Sequence, residues 1–154
     1  MSRAFVKDAD ENVVDELPDR PISPHRNLVT VEGLAAIEAT FARLQQEHAR
    51  ALASGDRAAL ATLSREVRYW GSRRASAQVV ATPANHSKVQ FGCSVTISRD
   101  DGRRQTYRIV GEDEADPSRG TISYVSPLAR ALIGKQVGDT VQVGRSDLEV
   151  LGIV

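Results

Sequence analysis

Cysteine is almost missing from this chain: Cys93 stands alone among 154 residues. That excludes an intrachain disulfide and any cysteine-rich zinc module. Aromatic residues make up only 5%, too few for a surface that stacks single-stranded bases. No two of the three histidines, His25, His48 and His86, stand at metal-ligand spacing. There is no Gly-rich phosphate loop, nucleophile elbow or Walker-type lysine. No apolar run approaches the ~20 residues of a membrane span, and Met1 to Asp10 lacks the apolar centre of a signal peptide. Excess charge is missing too. Lys+Arg and Asp+Glu balance at 20 each, so whole-molecule charge marks neither a polyanion binder nor an acidic-tail protein. With 41% hydrophobic and 26% charged residues, the expectation is a cytoplasmic, non-enzymatic binding protein without a cofactor or metal of its own.

The pattern divides into segments. Residues 1–29 look like an extended arm, with six acids (Asp8, Asp10, Glu11, Asp15, Glu16, Asp19) against four bases and prolines at 18, 21 and 24. Proline at every third position blocks helix and favours extended backbone. The arm is either laid along the molecule or a loose tail. Residues 30–80 carry Leu34, Ile37, Phe41, Leu44, His48 and Ala51 at 3-4-3-4-3 spacing, repeated by Leu60, Leu63, Val67, Trp70, Arg74 and Ala77. Two such stripes, broken at Ser54-Gly55-Asp56, predict an antiparallel helical hairpin with a narrow coiled-coil seam. Thr30 is the expected N-cap of the first helix, with Glu32 in its first turn.

Residues 81–87 read as a linker, and from 88 to 154 the period becomes two. Val89, Phe91, Cys93, Val95 and Ile97 alternate up to an Asp100-Asp101-Gly102 turn. Tyr107, Ile109, Ile122 and Tyr124 continue the pattern. Ser126-Pro127 opens a short helix over Leu128, Ala131 and Leu132, and Val141, Val143, Leu148, Val150 and Ile153 close the sheet. The fold class is α+β: a helical hairpin followed by an antiparallel β domain with one short helix.

Two blocks carry a resemblance. The run Gln105-Thr106-Tyr107-Arg108-Ile109-Val110-Gly111-Glu112-Asp113-Glu114-Ala115-Asp116 is one. The run from Ile122 through Ser126-Pro127-Leu128 to Lys135, followed by Val137-Gly138-Asp139, is the other, and Val89-Gln90-Phe91-Gly92 opens the domain. Together they resemble the bacterial Gre transcription elongation factors over residues 88–154, less closely over 30–80, and not over 1–29. The resemblance implies an FKBP-like C-terminal domain docked on RNA polymerase at the rim of its secondary channel, with the hairpin entering that channel. It implies that acids at the hairpin tip help hold the polymerase's catalytic magnesium, so that the polymerase cleaves its own backtracked RNA.

The chain departs from that family pattern twice. Its hairpin is roughly a dozen residues shorter per helix, which at ~1.5 Å per residue removes roughly 20 Å of reach. Gly55-Asp56 remains at the tip, but the glutamate expected three residues later is Ala59. A single carboxylate holds Mg²⁺ less well than two. Asp56 therefore reads either as a remaining tip acid or as the N-cap of the second helix, and the two departures favour the cap. The favoured expectation is a regulator of elongation without efficient transcript cleavage. An active cleavage stimulator using Asp56 is the alternative, and a peptidyl-prolyl isomerase is a remote one by fold analogy alone.

The expected polymerase-binding residues are Val125, Ser126, Pro127, Leu128 and Arg130. In the family an acid often precedes the serine, whereas Val125 stands here. Arg57, Arg65 and Arg68 share a helical face that would meet RNA or an acidic polymerase surface, or is simply a solvated face. Nascent RNA is thus a second expected contact, no membrane is expected as a partner, and the chain is expected to be a monomer.

Overall fold

A computed structural model describes residues 16–154; Asp8, Asp10, Glu11 and Asp15 of the acidic arm lie outside them. The described chain forms two compact units, one from residues 16–23 and 38–75 and the other from 24–37 and 76–154.

The first unit is built on two helices, α1 (Val31–Ser54) and α2 (Arg57–Ser76). At 24 residues, α1 is about 36 Å long. Gly55 breaks the helix at φ +70, a left-handed conformation that favours glycine. The amide of Asp56 then donates to the Ala51 carbonyl at 3.2 Å. Across the seam, His48 Nε2 lies 3.1 Å from Ser64 Oγ, and Phe41 packs where a Cβ on Gly71 would stand 3.2 Å from its ring. Positions 48 and 64, and 41 and 71, stand equally far on either side of Asp56, which fixes an antiparallel register. Leu44 and Ala51 are buried, as the stripe predicts. The stripe also placed Arg74 on the seam; its guanidinium sits 5.5 Å from the Phe41 ring centroid while the residue stays exposed. The buried arginine is its neighbour Arg73, 2% exposed.

In the second unit, strands β3 (Ser94–Arg99), β4 (Arg104–Val110), β5 (Thr121–Ser123), β6 (Thr140–Val143) and β7 (Ser146–Ile153) form one sheet in the order β5-β4-β3-β7-β6. Val95, Ile97, Ile109, Ile122, Val141, Leu148 and Val150 supply its core, closed by Ala129 and Leu132 of α3 (Pro127–Leu132). The alternation survives because each inward residue removes apolar surface from water.

Three features differ from the sequence-based expectation. β5 pairs with β4 in parallel, so the sheet is mixed; the chain between them runs through a 3-10 turn at Pro117–Arg119, long enough for the crossover a parallel pair requires. Val89, Phe91 and Cys93 are buried but precede the strand. Gly92 at φ +88 turns the backbone there, and Val89 bonds to the end of α3 through Lys135 and Gly134. Finally, the arm and the last residues of the expected hairpin segment contain strands: β1 (Leu28–Val29) pairs in parallel with β2 (Gln78–Val79). Two-residue strands are too short to leave a periodic signal.

Candidate functional site

The hairpin tip is a capped turn. Asp56 Oδ1 accepts from the Ala59 amide at 3.1 Å, the N-cap bond to the third helical residue, and the Asp56 carbonyl accepts the first intrahelical bond from Leu60. Gly55 and Asp56 are exposed, and so is Leu52, at 64%. The cap is therefore real, and it engages one of the two carboxylate oxygens at the tip. Among the described residues, no cluster of three His, Cys, Asp or Glu side chains could hold a metal ion, and no helix is long and apolar enough to cross a membrane.

Arg57, Arg65 and Arg68 do not form an open basic face. Arg57 is exposed. Arg68 donates to Asp19 at 2.5 Å and to the Leu17 carbonyl at 3.4 Å. Arg65 lies 3.9 Å from Glu66, which also accepts from Arg20 at 2.8 Å. Arg20 stands over the Tyr69 ring at 3.7 Å, and Tyr69 meets Trp70 edge-on at 5.2 Å. Residues 16–20 thus occupy the face that helical spacing alone presents as free. This contact joins positions about fifty apart, and helical periodicity contains no trace of it.

At the other candidate surface, Ser126 Oγ accepts from the Ala129 amide at 3.3 Å and Pro127 takes the first helical position. This cap fixes how α3 presents its two faces. Ala129 and Leu132 are buried and Leu128 packs against the core. Pro127, Arg130 and Ile133, spaced by three, are exposed. Leu128 is hence mainly a packing residue, and Val125 and Ser126 are half-buried. Ile133 and Val137, exposed at 39% and 58%, join the surface although the sequence reading did not select them. The signal for Val137 was its place beyond Gly134, where no strand alternation requires it to turn inward.

The N-terminus of α1 is tied to the β4–β5 loop. Thr30 caps the helix by accepting from Gly33 at 2.9 Å. The Glu114 carboxylate accepts from the Thr30 amide at 3.0 Å, from the Thr30 hydroxyl, and from the Gly111 amide at 3.1 Å. Nearby, Arg108 reaches Glu32 at 3.5 Å. The helix-terminal amide of Glu32 itself, and then Arg108, hold the Glu32 carboxyl below its ordinary range. A carboxylate with a lowered folded pKa stabilises the fold above the unfolded value and loses that contribution as pH falls through the folded one. A carbon-13 NMR titration of Glu32 is expected to give a midpoint below that of an unstructured glutamate. Arg108→Gln should raise it only part of the way, because the backbone bond remains.

The family model for the C-terminal part of the GreA/GreB transcription elongation factors matches residues 84–153. A transcription elongation factor GreA of Methylobacterium nodulans is 38% identical over 149 residues, covering 81% of this chain and 94% of its own. The chain belongs to the GreA/GreB family. The GreA of Desulfovibrio desulfuricans is 33% identical and is covered over 91% of its length. GreA factor homolog 1 of Thermus thermophilus, a solved structure, aligns at 18% identity with a TM-score of 0.42, covering 84% of this chain and 99% of that one. The segment matched by the GreA/GreB model contains α3, Ile133, Val137 and the Glu114 loop.

Proposed function

We propose that this GreA/GreB-family factor acts on bacterial RNA polymerase in the cytoplasm as a monomer and modulates elongation without efficient transcript cleavage. The sheet domain docks at the rim of the secondary channel through the exposed face of α3, and the hairpin supplies the regulatory effect. The observation that carries this reading is the tip. It offers one carboxylate, Asp56, already bonded to Ala59 at 3.1 Å, where the family pattern has a second acid. Holding a magnesium ion in the polymerase would need carboxylate oxygens unencumbered and close together, and one of the two here caps a helix. The factor itself is not a catalyst. Its aromatics in the sheet domain are engaged in packing: Phe91 is buried, and Tyr124 meets it edge-on at 5.7 Å while donating to the Arg26 carbonyl. That leaves no support for the isomerase alternative.

Two assays test the proposal. Core RNA polymerase is expected to retain the factor in a pull-down at near-physiological salt; absence of binding would sink the reading. Added to backtracked elongation complexes, the factor is expected to leave the RNA length unchanged while altering the elongation rate. RNA shortening that disappears with Asp56→Ala would establish the cleavage-stimulating alternative instead.

A further inference from the structure

The contact between residues 16–20 and α2 has the form of a ligand in a groove. Leu17 is half-buried, and a cavity of about 110 Å³ lies between it and the helix, lined by Glu16, Leu17, Leu60, Ala61, Ser64 and Arg68. Two residues on, Asp19 meets Arg68, which also holds the Leu17 carbonyl. Arg20 closes the contact on Glu66 and Tyr69. The helical positions used, 60, 61, 64 and 68, follow one stripe of α2, and Pro18 and Pro21 keep the segment extended.

Arg20 is the firm end of this segment, on Glu66 and Tyr69; what holds Leu17 and Asp19 to the groove is weak. The Asp19 side chain is 70% exposed and that of Arg68 45%, so their ion pair is screened by solvent and salt and contributes little. The apolar anchor is a single leucine above a space it does not fill. Contacts of this kind yield readily to a competing segment. The strap's occupancy of the groove depends chiefly on being tethered nearby.

We propose that the Leu60–Arg68 face of α2 is a binding groove for an extended acidic segment of a protein partner, closed in cis by residues 16–20. The recognised pattern is an apolar residue followed two positions later by a carboxylate. The apolar side chain enters between Leu60 and Ala61, and the carboxylate and a backbone carbonyl share the Arg68 guanidinium. A peptide is favoured over RNA because the groove uses an apolar side chain and a carbonyl besides the charge. A phosphodiester strand offers no counterpart to Leu17. Docking of such a segment displaces Leu17 and Asp19 from the groove. The inference stands apart from the polymerase reading, since it concerns the groove's chemistry and not the identity of the partner.

The test uses the full chain, isotope-labelled, and a synthetic peptide of residues 16–24 as probe. Leu17→Ser with Asp19→Asn opens the Leu60–Arg68 face by removing the strap's apolar and carboxylate contacts there, while Arg20 stays on Glu66 and Tyr69; circular dichroism checks that helix content is unchanged. The peptide is expected to shift the amide resonances of Leu60, Ala61, Ser64 and Arg68 in the opened variant, with an affinity at least tenfold higher than in the unaltered chain, where the tethered strap competes. Adding Arg68→Glu, or using a peptide carrying Leu17→Ser, should remove those shifts. Equal affinity in the two chains, or no shifts in the opened one, overturns the proposal. So does displacement of the peptide by an oligouridylate ten-mer at lower concentration than unlabelled peptide requires, which would assign the groove to RNA.

Discussion

Gly111→Ala is expected to lower the unfolding midpoint of the sheet domain by roughly 15 °C, a loss of about 3 kcal/mol. Gly111 has no need of a left-handed conformation; its requirement is space. A Cβ there would stand 2.3 Å from the Leu28 carbonyl oxygen and 3.1 Å from Glu114 Oε2. The first neighbour is backbone. It belongs to β1, whose pairing with β2 resists displacement. The second is the carboxylate that joins Thr30 to Gly111, and moving it leaves buried donors without partners. Gly55 is the control, since nothing lies within 4 Å of its Cβ position and only its φ of +70 matters. Gly55→Ala should cost about 1 kcal/mol. Differential scanning calorimetry of the two variants checks the contrast. Equal losses would mean that the contact at Gly111 relaxes without penalty.

That contrast also shows which parts of the molecule were legible in the sequence. Gly55 announced itself, because a glycine between two helical stripes and beside an aspartate has a local meaning. Thr30, Asp56 and Ser126 were legible for the same reason, and each makes the capping bond its position implies. The alternation of inward residues located the core even where it misplaced the strand: Val89 and Cys93 are buried although Gly92 turns the chain between them.

What could not be read is long-range. The requirement for glycine at Gly111 comes from Leu28, the bonds of Glu114 come from Thr30, and the occupancy of Arg68 comes from Asp19. None of these is a periodic signal. They depend on where chain segments meet, and spacing carries no such information. The same holds for Arg73 and Arg74. A stripe fitted at 3-4 spacing chose the second, while packing buried the first. The family resemblance, resting on blocks at 105–116 and 122–139, supplied the class of protein. It left open whether the individual α3 residues face the core or the solvent.

That last distinction sets the second large expected effect. Arg130→Glu with Ile133→Asp should weaken binding to core RNA polymerase by tenfold to a hundredfold, about 1.4 to 3 kcal/mol. Arg130 and the C-cap residue Ile133 continue the three-residue spacing of exposed positions that begins at Pro127, on the side opposite Ala129 and Leu132. An arginine beside an exposed aliphatic residue offers charge for steering and an apolar contact that excludes water around it. Because neither side chain belongs to the core cluster, the unfolding midpoint should move by no more than about 2 °C. Leu128→Asp makes a different prediction. It places a carboxylate against the apolar core on which Leu128 packs, so stability and binding should fall together. Asp56→Ala, at the hairpin tip, should leave affinity unchanged while costing about 1 kcal/mol of helix capping. Fluorescence-based binding curves and thermal melts on the three variants separate docking from folding. If Arg130→Glu with Ile133→Asp binds as tightly as the unaltered chain, the exposed face of α3 is not the docking surface, whatever the fate of Leu128→Asp.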